Sequence, residues 1–427
     1  MASDTKKIKK GRVLQASNKA PQILKDYWEK LHKAKSEGKK IAWVSGNAPA
    51  ELLWAFDVLP AYPENYAAVL AAAKLSGELC NIAEKEGFSR DLCSYARTNL
   101  GIVFGEKSSL KDLPFGGLPE PDILVTTRIP CLTQVKWWEV IRDRYQIPMF
   151  SLDAPFSTTV ETSQSGLEYV YEQILDLIHF LEDFTGRKLE EEVFSETMRL
   201  SDKGSGLWNE IMDLRANIPC PVGSREMCGN VFPLVSCLGT QVPVDFYTDL
   251  RDELRDRVDK GLGAIENEQV RLMLDNIPYW HHLSLLSDVE KHGAVFVFET
   301  YLRYVWGGRI NLQDPYRSYA EKVFTEVWLN SGLDLRKSML RENVKKYAID
   351  GVVFLSNRSC KRFSLWQLEL KAFLEKELDI PSILIEGDMA DPGGYSQEQA
   401  TTRMEAFLEM IKKKKEKTKE LRGIAKI

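Results

Sequence analysis

The chain contains 427 residues, a length typical of two or three domains. It has 57 lysines and arginines against 62 aspartates and glutamates, a net charge of −5, with 44% apolar and 28% charged residues. This is the composition of a soluble globular protein. The slightly acidic balance argues against nucleic-acid binding. No apolar run reaches the ~18–20 residues that cross a bilayer, so we expect neither a nucleic acid nor a membrane as partner.

Cysteine is scarce, and the N-terminus carries no secretory pattern. Seven cysteines in this length are too few for a disulfide scaffold. The basic segment Met1–Lys10 is not followed by an apolar core, so a signal peptide is not expected. We therefore expect a cytoplasmic protein, in which cysteine serves as a buried apolar residue, a nucleophile or a metal ligand.

The first part of the chain alternates short apolar strands with helices. Residues 1–38 form a basic, helix-prone lead-in, and residues 39–161 are predicted to be the first α/β domain. Its strands are predicted at 41–45, 122–126 and 148–152, and its helices at 49–58 and 133–145. Strands that alternate with helices in this way indicate a parallel sheet covered on both faces.

The strand pattern is then interrupted and later resumes. Residues 162–266 show only helical periodicity, with helices expected at 167–181, 190–214 and 244–262. Residues 267–427 are predicted to be a second α/β domain with a C-terminal helix, and its strands are expected at 271–274, 294–298, 351–355 and 382–385. The fold class is thus α/β, with two Rossmann-like parallel-sheet domains and a helical region between them.

Three cysteines occupy positions where α/β proteins bind ligands. Cys131 and Cys360 follow predicted strand ends in different domains, and Cys93 opens a helical stretch. Three distant thiolates can hold one iron–sulfur cluster, but an isolated cysteine is more often a packing residue. Packing is the expected role of Cys80, Cys220, Cys228 and Cys237. The sequence contains no P-loop, dinucleotide-binding glycine motif or zinc-protease motif.

Five motifs resemble the 2-hydroxyacyl-CoA dehydratase and benzoyl-CoA reductase family, over nearly the whole chain. They are Tyr62-Pro63-Glu64-Asn65, residues 91–97 around Cys93, Cys131 with Lys136-Trp137, residues 357–361 around Cys360, and residues 387–392. The resemblance implies a 4Fe-4S cluster held by Cys93, Cys131 and Cys360. It also implies a second homologous cluster-bearing subunit, a separate ATP-hydrolysing iron–sulfur activator and an acyl-CoA thioester substrate.

Within that family, the residues around Cys131 favour a benzoyl-CoA reductase. Dehydratases of the family usually have asparagines where this chain has Pro130 and Leu132, and a serine where it has Gly46. We therefore expect the larger cluster-bearing subunit of an ATP-dependent, heteromeric reductase of anaerobic aromatic degradation, acting through a ketyl-type radical anion. The motifs around Cys93 and Cys360 favour the alternative, an (R)-2-hydroxyacyl-CoA dehydratase, which is a lyase. A further alternative is a homodimeric reductase with a double-cubane cluster.

The resemblance also indicates residues near the substrate. Glu64 matches a family position near the substrate, where it can transfer a proton or donate or accept a hydrogen bond. The competing interpretation is a carboxylate that stabilises the start of a helix. Ser45 and Asn47, in the turn after the first predicted strand, are expected to bind substrate.

Overall fold

Two four-stranded sheets form the framework of the protein. The computed structural model describes residues 14–106, 110–129, 131–156, 163–304, 308–325 and 330–424. The first sheet consists of β1 (Lys40–Val44), β2 (Val58–Ala61), β3 (Ile123–Thr127) and β4 (Met149–Leu152). The second consists of β5 (Val270–Asp275), β6 (Ala294–Glu299), β7 (Gly351–Asn357) and β8 (Ser382–Gly387).

Both sheets are fully parallel and share one topology. Their strand orders are β2-β1-β3-β4 and β6-β5-β7-β8, with every neighbouring pair parallel. The central strands are apolar along their length because helices cover both faces; in β7, Val352, Val353, Phe354 and Leu355 are all fully buried. The predicted α/β fold with two parallel sheets is confirmed. The domain boundaries given above remain a prediction.

The strand β2 was not expected from the sequence. A single helix was predicted over 49–58, but the helix spans only Glu51–Ala55. Asp57 then takes a left-handed conformation with φ of 55°, and the chain enters β2. This strand has four residues and contains Pro60, which cannot donate to a neighbouring strand and is tolerated because β2 lies at the sheet edge.

Helices surround the sheets and fill the region between them along the chain. Those of the described residues span Ala20–Ala34, Glu51–Ala55, Pro63–Ala72, Ser76–Lys85, Ser94–Phe104, Leu132–Tyr145, Gln164–Thr185, Glu191–Leu214, Ser224–Asn230, Phe232–Ser236, Gln241–Asp259, Leu285–Asp288, Thr300–Tyr304, Pro315–Thr325, Leu333–Lys346, Lys361–Ser364, Gln367–Glu377 and Gln397–Ile424. Between β4 and β5 the described residues form helices and no strand, as predicted. None of the helices described is both long and apolar enough to cross a membrane.

Buried polar contacts join the two α/β units beside the predicted cluster ligands. The guanidinium of Arg97, 2% exposed, donates to Asp391 after β8 (2.8 Å) and to Glu84 (2.7 Å). The Ser94 amide donates to the Ser359 hydroxyl at 3.0 Å. Because Ser94 follows Cys93 and Ser359 precedes Cys360, this hydrogen bond fixes the position of one cysteine loop relative to the other.

We predict that Arg97→Met lowers the free energy of unfolding by about 2 kcal/mol, because it leaves the partly buried carboxylates of Glu84 and Asp391 without their cationic partner. The matched control is Arg199→Met, which breaks an exposed pair with Glu196 whose side chains are 52% and 53% exposed; such pairs contribute about 0–1 kcal/mol. Thermal or denaturant unfolding of both variants measures the difference. Equal losses would show that the Arg97 contacts do not stabilise the junction between the units.

Candidate functional site

A cavity of about 1050 Å³, partly open to solvent, lies at the carboxyl ends of strands from both sheets. The first sheet contributes residues that follow β1, β2 and β3, among them Asn47, Glu64 and Cys131. The second contributes residues that follow β5 and β7, among them Ile277 and Cys360. The chain order reverses between β1 and β3 and again between β5 and β7, and α/β proteins bind ligands at such positions.

Three half-buried cysteines line this cavity, and each immediately precedes a helix. Cys93 precedes Ser94–Phe104, Cys131 precedes Leu132–Tyr145 and Cys360 precedes Lys361–Ser364. The first amides of a helix lack intrahelical acceptors and lie at its positive end. The backbone of Ala96 hydrogen-bonds Cys93, and that of Phe363 hydrogen-bonds Cys360. These contacts stabilise thiolates at the positions where cluster ligands are predicted.

Burial opposes ionisation of the Cys93 and Cys360 thiols unless a positive centre binds them. It raises the pKa of Cys360 to about 12 and holds the pKa of Cys93 well above its usual range. Charge repulsion acts in the same direction, since Cys360 and Cys131 both raise the pKa of Cys93. All three cysteines line the same cavity. Metal ligation would favour the thiolate over the thiol, because a positively charged metal centre takes the place of the thiol protons.

The arrangement suits an iron–sulfur cluster better than a single metal ion. In the described ranges, no three histidine, cysteine, aspartate or glutamate side chains converge closely enough to hold one ion. The cysteines instead border a cavity, so a ligand that reaches all of them must itself occupy the space between them. A cluster does this and takes thiolates as its ligands. The residues present therefore fit the predicted group.

Glu64 lies in the wall of the same cavity, and two donors hold its carboxyl group. The Gly46 amide donates to Oε2, and the Gln134 side chain donates to Oε1. Burial nevertheless raises the pKa of Glu64 to about 7, against the lowering effect of both hydrogen bonds. A carboxyl group with this pKa is close to half-protonated at neutral pH and can either accept or release a proton.

The two residues expected to bind substrate differ in position. Asn47 lines the cavity. Ser45 is fully buried behind it, and its hydroxyl accepts a hydrogen bond from the Thr127 amide at 3.2 Å. This contact joins the ends of β1 and β3, so Ser45 maintains the sheet edge and does not reach the cavity. The expectation that Ser45 contacts substrate is not supported by this geometry.

Sequence reasoning missed two amide side chains in the cavity wall, those of Asn65 and Gln134. The side-chain oxygen of each is buried without a hydrogen-bond partner among the described residues. A buried acceptor left unpaired costs about 1–3 kcal/mol, so either oxygen would be stabilised by a donor once its amide turned toward the cavity. Asn65 follows Glu64 in a motif quoted above, whereas Gln134 has no local signal apart from its place in the first turn after Cys131.

Comparison with known proteins identifies the family. The profile of the family "2-hydroxyglutaryl-CoA dehydratase, D-component" matches residues 46–411, which includes every residue that lines the cavity. The chain belongs to this family. The resemblance drawn from the motifs is thereby confirmed, as is the prediction of an enzyme of the dehydratase and reductase group.

Individual members of the family are similar over almost their full length. The chain is 30% identical to the (R)-2-hydroxyisocaproyl-CoA dehydratase alpha subunit of Clostridioides difficile, over 92% of this chain and 95% of the relative. It is 31% identical to the (R)-phenyllactyl-CoA dehydratase alpha subunit of Clostridium sporogenes, over 90% and 92%. A benzoyl-CoA reductase subunit of Thauera aromatica is 27% identical over 93% and 94%. These names indicate enzymes of several subunits.

Proposed function

We propose that this chain is the alpha-type, cluster-bearing subunit of an (R)-2-hydroxyacyl-CoA dehydratase. One observation carries the proposal: three cysteines and a carboxyl group of raised pKa border a single cavity between the two sheets. Cys93, Cys131 and Cys360 are the proposed ligands of a 4Fe-4S cluster. When bound, the cluster supplies single electrons to the acyl thioester and a Lewis-acidic iron without a protein thiolate.

The residues of the chain orient the substrate and move its protons. Glu64 is the proposed proton-transfer group, and Gly46 and Gln134 fix its carboxyl orientation by their hydrogen bonds. The side-chain amides of Asn65 and Gln134, which line the cavity, are the proposed polar contacts of the substrate. Aromatic side chains around the cavity, among them Tyr95 and Trp280, reduce the access of water.

Two features favour dehydration over ring reduction. The dehydratase subunits named above are 30% and 31% identical to this chain, and the reductase subunit 27%. The side-chain amides of Asn65 and Gln134 in the cavity wall also suit a substrate that carries a hydroxyl group, which a benzoyl group lacks. The preference for a benzoyl-CoA reductase derived from the sequence is therefore replaced by its alternative.

The sequence features that suggested a reductase have a different meaning in the fold. Leu132 is 58% exposed and does not line the cavity, so its identity does not distinguish the two substrates. Pro130 lies outside the described residues. Gly46 brings its amide into contact with Glu64, and a Cβ atom there would lie 2.9 Å from Glu64 Oε2. Where a dehydratase usually has a serine hydroxyl, this chain has a direct hydrogen bond from the Gly46 amide to the Glu64 carboxylate.

We further propose a heteromeric holoenzyme. Its other parts are a second, homologous cluster-bearing subunit and a separate ATP-hydrolysing iron–sulfur activator that delivers the electron. The relatives support the first of these partners, since each is named as one subunit of a larger enzyme. The absence of a P-loop from the sequence is consistent with ATP hydrolysis in another chain.

The ligand assignment predicts that alanine at position 93, 131 or 360 removes most of the iron and the brown absorbance of anaerobically purified protein. Each variant removes one of the three proposed thiolate ligands, and we expect no neighbouring side chain to replace it. The control is Cys220→Ala, because the Cys220 thiol is buried and bonded to the Val222 carbonyl at 3.1 Å. Full iron retention in Cys360→Ala would refute the assignment.

The reaction itself is tested with the reconstituted holoenzyme, ATP and a low-potential reductant under anaerobic conditions. We expect conversion of (R)-2-hydroxyacyl-CoA to enoyl-CoA with far less than one electron consumed per product. In Glu64→Gln, kcat should fall by about 100-fold or more, the usual contribution of general acid–base catalysis. Consumption of benzoyl-CoA with two electrons per product would instead establish the reductase.

A further inference from the structure

A second cavity of about 510 Å³, also partly open to solvent, adjoins the cysteine cavity. The two have Gly46, Asn47, Tyr62 and Val235 as common wall residues. Because the Gly46 amide also holds Glu64, the common wall lies beside the proposed proton-transfer group. The second cavity therefore continues the first from the point where a substrate would meet Glu64.

The wall of the second cavity is mainly apolar. Leu234, Leu238 and Val323 line it and are at most 8% exposed. The helical region supplies the two leucines, and the helix Pro315–Thr325 supplies the valine. Burying an apolar acyl branch against such side chains is favourable by about 0.8 kcal/mol for each CH₂ group.

The charged residues in this wall neutralise each other. The Lys322 ammonium donates to Glu51 Oε1 at 2.6 Å, and the Tyr319 hydroxyl donates to Glu51 Oε2 at 2.7 Å. Ser201 also donates to Glu51, at 2.8 Å. The side chains of Lys322 and Glu51 are only 10% and 8% exposed. An anionic ligand group would meet the carboxylate of Glu51 together with Lys322, so the pair offers it little net attraction.

Positive charge is instead found on the cysteine side of the first cavity. Lys361 and Arg362 line that cavity immediately after Cys360. The phosphate groups of coenzyme A are attracted by such side chains, whereas the second cavity has only the neutralised Lys322 among its described lining residues. An acyl-CoA whose coenzyme extended on the Lys361 side would have its acyl branch toward Leu238.

We propose that the second cavity is the subsite for the acyl side chain and selects neutral, apolar 2-hydroxyacyl groups over small or dicarboxylic ones. The inference rests on the proposed function, since it assumes an acyl-CoA whose thioester lies near the cysteines. Leu238 and Val323 set the size limit, and the Lys322–Glu51 pair sets the charge preference.

The size limit is tested with the anaerobic holoenzyme by comparing kcat/KM for 2-hydroxyisocaproyl-CoA and lactoyl-CoA. Leu238→Phe should lower the isocaproyl-to-lactoyl ratio about tenfold or more, a usual discrimination for a change of this size in an apolar pocket. Leu238→Ala should raise the ratio of kcat/KM for the bulkier phenyllactyl-CoA to that for 2-hydroxyisocaproyl-CoA. The control is Leu262→Phe, on a side chain 52% exposed and outside both cavities.

The charge preference is tested with Glu51→Gln, which keeps the shape of the side chain and leaves Lys322 with a net positive charge. The ratio of 2-hydroxyglutaryl-CoA to 2-hydroxyisocaproyl-CoA turnover should rise about tenfold. If acyl-CoA is turned over but neither the Leu238 variants nor Glu51→Gln change these ratios, the subsite assignment is wrong. If the wild-type holoenzyme neither binds nor converts any 2-hydroxyacyl-CoA, the proposed function fails instead. Should Leu238→Phe not fold, the Leu238→Ala ratio decides the size limit.

Discussion

The structure depends on one constraint: two separate parallel sheets must present their carboxyl ends to the same cavity. The cysteines that follow β3 and β7 belong to different halves of the chain, and Cys93 lies at the start of a helix of the first half. Cys93 and Cys131 belong to the first half and Cys360 to the second, so the two halves together bring all three thiols to one cavity. The buried bond between Ser94 and Ser359 and the pair of Arg97 with Asp391 therefore matter for function as well as for stability.

The same constraint explains why the site combines burial with polar groups. Closing two sheet edges over a cavity removes water and raises the pKa of Glu64 and of the thiols of Cys93 and Cys360. The helix N-termini and backbone amides offset part of this increase in pKa, since they donate hydrogen bonds to the ionised groups. The carboxyl group of Glu64 therefore has a pKa of about 7 and is close to half-protonated at neutral pH.

Much of the fold could be predicted because apolar runs in a doubly covered parallel sheet are continuous. The seven strands marked by such runs were found, and β2 was missed because Pro60 and the short length Val58–Ala61 do not resemble a strand. The site was harder to predict from sequence. Ser45 and Asn47 are separated by one residue, yet only Asn47 lines the cavity, because the turn at the end of β1 directs Ser45 into the sheet. The contact between Gly46 and Glu64 joins residues 18 positions apart, and no local pattern reveals it.

The central claim is that one iron–sulfur cluster is held between the two halves, and diffraction at the iron absorption edge tests it most directly. Crystals of the anaerobically purified protein should show anomalous density for iron inside the cavity bounded by Cys93, Cys131 and Cys360. Iron bound instead beside Cys220 or Cys228, or an iron-free cavity in protein that has retained its iron, would contradict the account.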